Sequence, residues 1–272
     1  MGSTVSALLP RKQLNQQIDG DWIMNSQPQL TDTGWCDNER FATQHGGVLC
    51  SAFLISPNHL VTAAHCINAA DDKFGPALNC EDIAFVFDHR LNANGNLPAQ
   101  YSQDQIYFCK RVIAGKNTVD SLDWRVIELD KTANREPLPL LTKLPENLSS
   151  LPIDLVGHPM GLPLKASIRG SLRQVDKRGY FLANIDAFEG NSGSPVIIHF
   201  EEQPIVIGML IRGEVDHELD KQSQCKITRV CSGSQCIGER VMTGGAFSAW
   251  ARNPSESLSK VPPSTGYKSL CF

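Results

Sequence analysis

The chain has 272 residues, of which 41% are hydrophobic and 20% charged, so it can bury a core and is not an intrinsically disordered protein. Its 25 basic and 29 acidic residues give a net charge of −4, which argues against a basic surface for nucleic acid or anionic lipid. No stretch approaches the roughly 20 apolar residues that cross a bilayer, so we expect no membrane span.

Short apolar runs separated by turn residues follow one another along the chain. They lie at residues 53–55, 85–87, 126–127, 154–156, 196–198 and 205–207. The turn signals between them include Pro-Asn and Asn-Gly pairs. Helical periodicity is scarce, and residues 245–252 are the best candidate for a short helix. Many short strands without intervening helices favour an all-β protein built from barrels or sandwiches.

A proline-rich stretch at residues 136–152 divides the strand-bearing region into two similar halves. We therefore expect five parts in chain order. They are an N-terminal extension at 1–35, a first β unit at 36–135, a linker at 136–152, a second β unit at 153–250 and a polar tail at 251–272.

Nine cysteines are spread through the chain, as expected for disulfides in a secreted or otherwise exported protein. Cys225, Cys231 and Cys236 crowd together, so a zinc site is the alternative. Their spacings are wider than those of zinc-knuckle cysteine pairs, and only His217 lies close by. An odd count leaves one thiol unpaired, and Cys271 near the end of the chain is the candidate.

Two residues at predicted strand ends have the chemistry of a general base and its partner. His65 follows an apolar run and three small residues, which let its ring reach a nucleophile. Asp123 opens the largely apolar run 123–129, where a buried carboxylate would fix the tautomer of an imidazole and stabilise its cation. Taken singly, a histidine beside a cysteine is more often structural, and most aspartates at a strand start only cap the strand.

Ser192 is enclosed by Gly190 and Gly193 in the segment 189–195. Glycines on both sides allow a tight turn that exposes the hydroxyl, and the backbone N–H groups of such a turn can converge on a developing oxyanion. The spacing differs from that of the α/β-hydrolase nucleophile elbow. By itself the segment is also compatible with a plain turn.

Taken together, the order His65, Asp123, Ser192 with about sixty residues between members resembles the chymotrypsin-like (trypsin-like) serine peptidases. The segments 62–66 and 190–195 are similar to the bacterial branch that includes the glutamyl endopeptidases. So are the segments 39–41, 50–55 and 157–163, and the resemblance covers roughly residues 36–250.

The resemblance implies an all-β fold of two six-stranded antiparallel barrels, a short C-terminal helix and an active site in the cleft between the barrels. Ser192 would be the nucleophile, His65 the general base and then acid, and Asp123 its orienting partner. The backbone N–H groups of Gly190 and Ser192 would form the oxyanion hole.

The family pattern also implies a disulfide between Cys50 and Cys66. We further expect most other cysteines to pair within their own half: Cys80 with Cys109 in the first, and two of the three crowded cysteines in the second.

Asn191 departs from the animal digestive enzymes, which carry an aspartate just before the serine. In those zymogens a newly freed amino terminus pairs with the aspartate and sets the oxyanion hole. Because asparagine cannot supply that ion pair, we expect no activation switch of this type.

Substrate specificity depends on Asp186, which lies six residues before Ser192. Trypsin-like enzymes place the aspartate that binds Arg or Lys at this offset; the alternative is a solvated carboxylate or one paired with Arg212. Glutamyl endopeptidases carry a histidine on the strand after the serine, and residues 208–213 contain none. Specificity for Glu is therefore not expected unless Arg212 turns inward.

We interpret the chain as a serine endopeptidase that cleaves protein or peptide substrates through an acyl-enzyme, without a cofactor, a metal or a nucleic-acid partner. The sequence does not determine its oligomeric state, and a monomer is favoured. Two alternatives are a catalytically silent protease-fold protein that binds a partner through the cleft, and an adhesion or structural β module. A run of acidic residues is either a solvated loop face or a calcium site. Its members are Glu214, Asp216, Glu218 and Asp220.

Overall fold

The computed structural model describes residues 3–67, 78–118, 122–230 and 236–260, which form two β-barrels. The strands of the first half are β1 (Val5–Pro10), β2 (Leu14–Gln16), β3 (Trp22–Met24), β4 (Cys50–Ser56), β5 (His59–Thr62), β6 (Ile83–Phe87), β7 (Ile106–Asn117) and β8 (Asp123–Leu129). Six of them close into an antiparallel barrel in the order β1-β4-β5-β8-β7-β6, because β1 pairs with both β4 and β6.

The second half forms a larger sheet. Its strands are β9 (Leu140–Leu141), β10 (Ile153–Gly157), β11 (Lys165–Asp176), β12 (Tyr180–Asn184), β13 (Pro195–Phe200), β14 (Gln203–Arg212), β15 (His217–Leu219), β16 (Lys226–Thr228), β17 (Glu239–Thr243) and β18 (Pro254–Ser255). Six of these, in the order β13-β10-β11-β12-β17-β14, close through the β13–β14 pairing. The predicted all-β fold of two six-stranded barrels is confirmed.

The helical segments in the described part of the chain are all short 3₁₀ turns. They are Arg11–Gln13, Thr31–Thr33, Ala64–Cys66, Cys80–Asp82, Leu148–Ser150, Pro159–Gly161, Gly244–Ala246, Ser248–Trp250 and Leu258–Lys260. The helix expected at 245–252 is thus two separate 3₁₀ turns. No helix among the described residues has the length and apolar composition needed to cross a membrane.

Residues outside the two predicted β units also join the sheets. Strand β1 is fully buried in the first barrel, although the sequence placed it in an extension at 1–35. Strand β9 of the expected linker pairs in parallel with β14, and β18 of the expected tail pairs with β9. These partners are far away in the sequence, so no local pattern marks the three short segments as strands.

A shared apolar cluster joins the two barrels. Phe53, Val61 and Trp124 of the first barrel belong to the same buried cluster as Ile197 and Met209 of the second. Its burial removes apolar surface from water on both sides, which is the main favourable contribution to such an interface. The cluster holds the strand ends of the two barrels next to each other.

The disulfides confirm part of the predicted pairing. Cys50 bonds to Cys66 and Cys80 to Cys109, as expected. Cys225 bonds instead to Cys36, so the expectation that the later cysteines pair within their own half is wrong for Cys225. The two residues are 189 positions apart, and only the folded chain brings them together.

The zinc alternative fails for the cysteines that the structure describes, because Cys225 and Cys236 are both disulfide-bonded. Cys231 and Cys271 lie outside the described residues. The disulfides point to an oxidising environment, consistent with an exported protein.

Candidate active site

His65 and Asp123 meet at one edge of the first barrel. Strands β5 and β8 run antiparallel with Thr62 opposite Arg125, so the end of β5 lies beside the start of β8. The 3₁₀ turn Ala64–Cys66 follows β5 and carries His65, while Asp123 is the first residue of β8. The chain direction of two neighbouring strands therefore brings the two side chains together.

The carboxylate of Asp123 accepts two hydrogen bonds from His65. Its Oδ1 accepts the backbone N–H at 3.0 Å, and its Oδ2 lies 2.7 Å from the ring Nδ1. The Asp123 side chain is 3% exposed and that of His65 is 17% exposed. With its Nδ1 proton donated to Asp123, a neutral imidazole carries its lone pair on Nε2, where it can accept a proton.

The charge of Asp123 is balanced by its neighbours. Burial raises the pKa of this carboxyl, but the hydrogen bonds and charge of His65, together with the charge of Arg212, outweigh burial and hold the pKa below its usual value. Arg212, the last residue of β14, reaches across from the second barrel, and its Nε lies 3.8 Å from Asp123 Oδ2. Asp123 is therefore ionised at neutral pH.

The turn that carries Ser192 docks against the start of β4. The Ser192 carbonyl oxygen accepts the Ser51 N–H at 2.8 Å. The same oxygen lies 4.0 Å from Sγ of Cys66, which belongs to the turn that carries His65. No hydrogen bond within the described residues joins the Ser192 hydroxyl to the His65 ring. In substrate-free enzymes such bonds are often long and tighten only when substrate binds.

Two peptide groups of this turn are held by their carbonyl oxygens. The Glu189 carbonyl accepts the Met160 N–H at 2.5 Å, and the Asn191 carbonyl accepts the Ser194 N–H at 2.8 Å. Because N–H and C=O point in opposite directions in a trans peptide, the N–H groups of Gly190 and Ser192 point away from these contacts. Neither N–H donates to an acceptor in the described part of the chain, so both are available to an anionic oxygen.

The two glycines of the turn are required by their backbone and their surroundings. Gly190 has φ +91° and Gly193 has φ +89°, a left-handed region that side chains rarely adopt. A Cβ on Gly190 would meet the His158 carbonyl oxygen, and one on Gly193 would meet the Ser51 carbonyl oxygen. The turn therefore packs tightly between the segments of His158 and Ser51, and neither glycine position has space for a side chain.

Ser51 supports the turn, and sequence analysis missed it. Its hydroxyl donates to the Gly190 carbonyl at 3.1 Å and accepts the His158 N–H at 2.9 Å. Its own carbonyl accepts the Thr62 hydroxyl at 2.7 Å. The only sequence signal is that Ser51 and Thr62 are polar residues in otherwise apolar runs, and such residues need buried partners.

Asn191 is a neutral residue inside this network. It is buried, and its Oδ1 accepts the Ser194 hydroxyl at 3.2 Å. The side chain therefore has a hydrogen-bond partner without an ion pair.

Asp186 and Arg212 have different contacts. Asp186 is exposed, and its backbone N–H donates to the Ser167 hydroxyl at 3.1 Å. It lines a cavity together with Phe188 and Asn191. No ion pair within the described ranges involves Asp186, and Arg212 contacts Asp123 instead. The ion pair between Asp186 and Arg212, which the sequence left open as an alternative, is therefore not formed.

The described residues offer no built metal site. The one group of side chains close enough to share an ion contains Cys50, His65 and Cys66, and its two cysteines are bonded to each other. The carboxylates of the acidic run 214–220 do not point to one common site. Asp216 accepts the Glu189 N–H, whereas Asp220 accepts the Ser223 N–H. The calcium alternative has no support from this geometry.

Residues 50–209 match the family model of the trypsin-like peptidase domain. The match takes in 160 of the 272 residues and includes His65, Asp123 and Ser192. The chain belongs to this family. Membership makes it a serine peptidase by class and implies protein substrates. Comparison with the curated proteins finds no match.

Proposed function

We propose that the chain is a serine endopeptidase whose catalytic residues are Ser192, His65 and Asp123. The observation that carries this proposal is the pair of hydrogen bonds from His65 to the buried Asp123 carboxylate, beside the glycine-framed turn of Ser192. An imidazole held by a carboxylate through Nδ1 is the arrangement that activates a serine hydroxyl.

The proposed reaction passes through an acyl-enzyme. The Ser192 hydroxyl oxygen attacks the carbonyl carbon of the substrate while its proton moves to His65 Nε2. His65 then gives that proton to the leaving amine as the peptide bond breaks. Water repeats the sequence on the ester, and Asp123 stabilises the imidazolium in both halves.

The backbone N–H groups of Gly190 and Ser192 would bind the oxygen of each tetrahedral intermediate. Their support is that both peptides are held in place before substrate arrives, and that neither N–H has an acceptor among the described residues. Donors that need no reorganisation during the reaction stabilise the developing charge most effectively. The neutral contacts of Asn191 fit an oxyanion hole that forms without an aspartate–amine ion pair.

We also propose an exported enzyme that prefers Lys or Arg before the cleaved bond. The disulfides support export. Asp186 lies six residues before Ser192 and takes part in no ion pair among the described residues, which supports a basic side chain. Specificity for Glu, as in the glutamyl endopeptidases, is disfavoured because Arg212 contacts Asp123. A silent protease-fold protein is the alternative, and the complete set of three residues counts against it.

A fluorophosphonate probe tests the catalytic proposal, because it reacts only with an activated serine. We expect stoichiometric labelling at Ser192 and loss of both labelling and peptide hydrolysis in Ser192→Ala, with activity down by at least about 10⁴-fold. Ser171→Ala, at an exposed serine of the same barrel, is the control and should match the wild type. Near wild-type turnover by a folded Ser192→Ala variant would refute the mechanism.

A further inference from the structure

A cavity lies beside the segment that leads into the Ser192 turn. The residues that line it include Phe41, Met160, Lys165, Phe188 and Asn191. Neither His65 nor Ser192 is part of its lining, so the cavity is distinct from the site of the proposed reaction. Including the space at its open mouth it encloses about 750 Å³, which is within the range of small-molecule sites.

The walls of this cavity are largely apolar and come from both halves of the chain. Trp35 and Phe41 belong to the connection between β3 and β4, whereas Met160 and Phe188 belong to the second half. The four side chains pack in one small apolar cluster, in which the ring centres of Trp35 and Phe188 are 6.4 Å apart in an edge-to-face contact. An apolar ligand body would therefore remove its own surface from water against these side chains.

Two of the wall residues have a strained backbone. Phe41 has φ +65° and Met160 has φ +52°, left-handed values that residues other than glycine rarely adopt. The Met160 N–H also donates to the Glu189 carbonyl, which belongs to the peptide that carries the Gly190 N–H. Because strained residues persist only where the surrounding structure holds them, the cavity is a fixed part of the fold.

Two hydrogen-bond donors of the cavity lack an acidic partner. Lys165 Nζ donates to the Pro163 carbonyl at 2.8 Å and forms no ion pair among the described residues, so two of its three N–H bonds remain. Asn191 accepts the Ser194 hydroxyl through Oδ1, and its amide N–H groups donate to no acceptor in the described part of the chain. A carboxylate is the group whose oxygens accept hydrogen bonds from such donors.

The charges at the cavity favour an anion beside Lys165. Its Nζ lies 4.9 Å from the centre of the Phe41 ring, and burial lowers the pKa of the ammonium to about 8. A charge that has lost water without gaining a counter-ion is stabilised by an incoming anion. Arg40 adds a second cation at the same wall. Of the acidic residues there, Asp186 is exposed and screened by water, and Glu39 already accepts a hydroxyl hydrogen bond at 2.6 Å.

We propose that this cavity is a binding site for a small organic carboxylate with an aromatic body. The carboxylate oxygens accept hydrogen bonds from Lys165 and Asn191, and the apolar body packs against Phe41 and Phe188. A hydrogen bond between two charged groups is stronger than a neutral one, so the site prefers a carboxylate over an amide or an amine of the same shape. The inference is independent of the catalytic role proposed for Ser192.

Three small molecules of one shape and different charge test the proposal on the wild-type protein. They are phenylacetate, its neutral counterpart phenylacetamide and the cation phenethylamine. In calorimetric titrations we expect phenylacetate to bind with a Kd on the order of 1 mM, and at least about tenfold more tightly than the other two. Equal binding of the three, or no binding of phenylacetate up to about 20 mM, would overturn the assignment.

A matched pair of lysine variants tests the residue that carries the charge. Lys165→Met keeps an unbranched apolar side chain but removes the ammonium, and should weaken phenylacetate binding about tenfold while leaving phenylacetamide unaffected. Lys131→Met is the control, because Lys131 Nζ also lies 4.9 Å from an aromatic ring centre, that of Tyr107 in the first barrel. It should bind phenylacetate like the wild type. Equal losses in both variants, or none in Lys165→Met, would refute the site.

Fluorophosphonate-labelled protein separates this cavity from the substrate cleft. Because Ser192 does not line the cavity, labelled and unlabelled protein should bind phenylacetate within about twofold of each other. A loss of more than about tenfold on labelling would place the ligand in the substrate cleft and overturn the assignment. Failure of the labelling itself refutes the proposed function of Ser192, whereas the comparison of the three small molecules still decides the cavity.

Discussion

The two barrels bring different kinds of groups to the cleft. The first barrel supplies His65 and Asp123, which are already joined by two hydrogen bonds to the buried Asp123 carboxylate. The second supplies N–H groups at Gly190 and Ser192 without described acceptors. One side is complete in the free protein, whereas the proposed oxyanion hole of the other is completed by the oxygen of a bound substrate as its negative charge develops. Losses on the first side should therefore affect every substrate equally.

The largest effect is expected at the complete side. Asp123→Asn keeps the size of the side chain but no longer accepts both His65 hydrogen bonds as a carboxylate does, so the imidazole is held in the wrong tautomer. We expect kcat to fall by about 10⁴-fold, by the same factor for Lys and Leu peptides. Steady-state kinetics with both peptides measure it.

Asp130→Asn is the matched control for this experiment. Asp130 follows the other end of β8, is exposed, and accepts a hydrogen bond from the Phe108 N–H. It should keep full activity. A loss below tenfold in Asp123→Asn would contradict the view that the first barrel carries the general base in a fixed orientation.

An intermediate effect is expected for the disulfide beside His65. Replacing Cys50 and Cys66 by alanine opens a loop that spans 16 positions, and should lower the free energy of unfolding by about 3 kcal/mol. Because this bond anchors the turn that carries His65, kcat/KM should also fall for Lys and Leu peptides alike. Urea unfolding and kinetics at a temperature where the variant is folded measure the two effects.

The Cys80–Cys109 bond of the same barrel offers the comparison. Its sequence separation is 29, so its removal should destabilise the protein to a similar degree. It is not attached to His65 or Asp123, and kcat/KM of the folded variant should stay at the wild-type value. Equal kinetic losses in the two double variants would mean that the disulfides act only through global stability.

Sequence analysis identified the local elements of the candidate site, but not the long-range contacts that support them. His65 and Asp123 are placed by the ends of two neighbouring strands, and the apolar runs mark those strands locally. Ser51, by contrast, supports the Ser192 turn through a hydrogen bond to Gly190 that spans 139 positions of the sequence. The Cys36–Cys225 bond likewise depends on long-range packing, for which neither spacing nor composition gives a signal.

The smallest predicted effect concerns Arg212, the residue of the second barrel that reaches the charges of the first. Its guanidinium is about half exposed and lies 3.8 Å from Asp123 Oδ2, so it opposes the positive charge that His65 acquires in the transition state, and water weakens this effect. His65 supplies the main hydrogen bonds that keep Asp123 ionised, so Arg212→Gln should leave that charge in place. We expect kcat/KM on Leu peptides to rise by up to about fivefold at low salt, and the gain to vanish in 1 M NaCl, where the Debye length is about 3 Å.

Arg111→Gln is the control, because it removes an exposed guanidinium paired with Glu128, far along β8 from Asp123. It should leave kcat/KM unchanged. A loss of more than tenfold in Arg212→Gln would instead show that the second barrel holds Asp123 in position, and that the first barrel is not complete by itself.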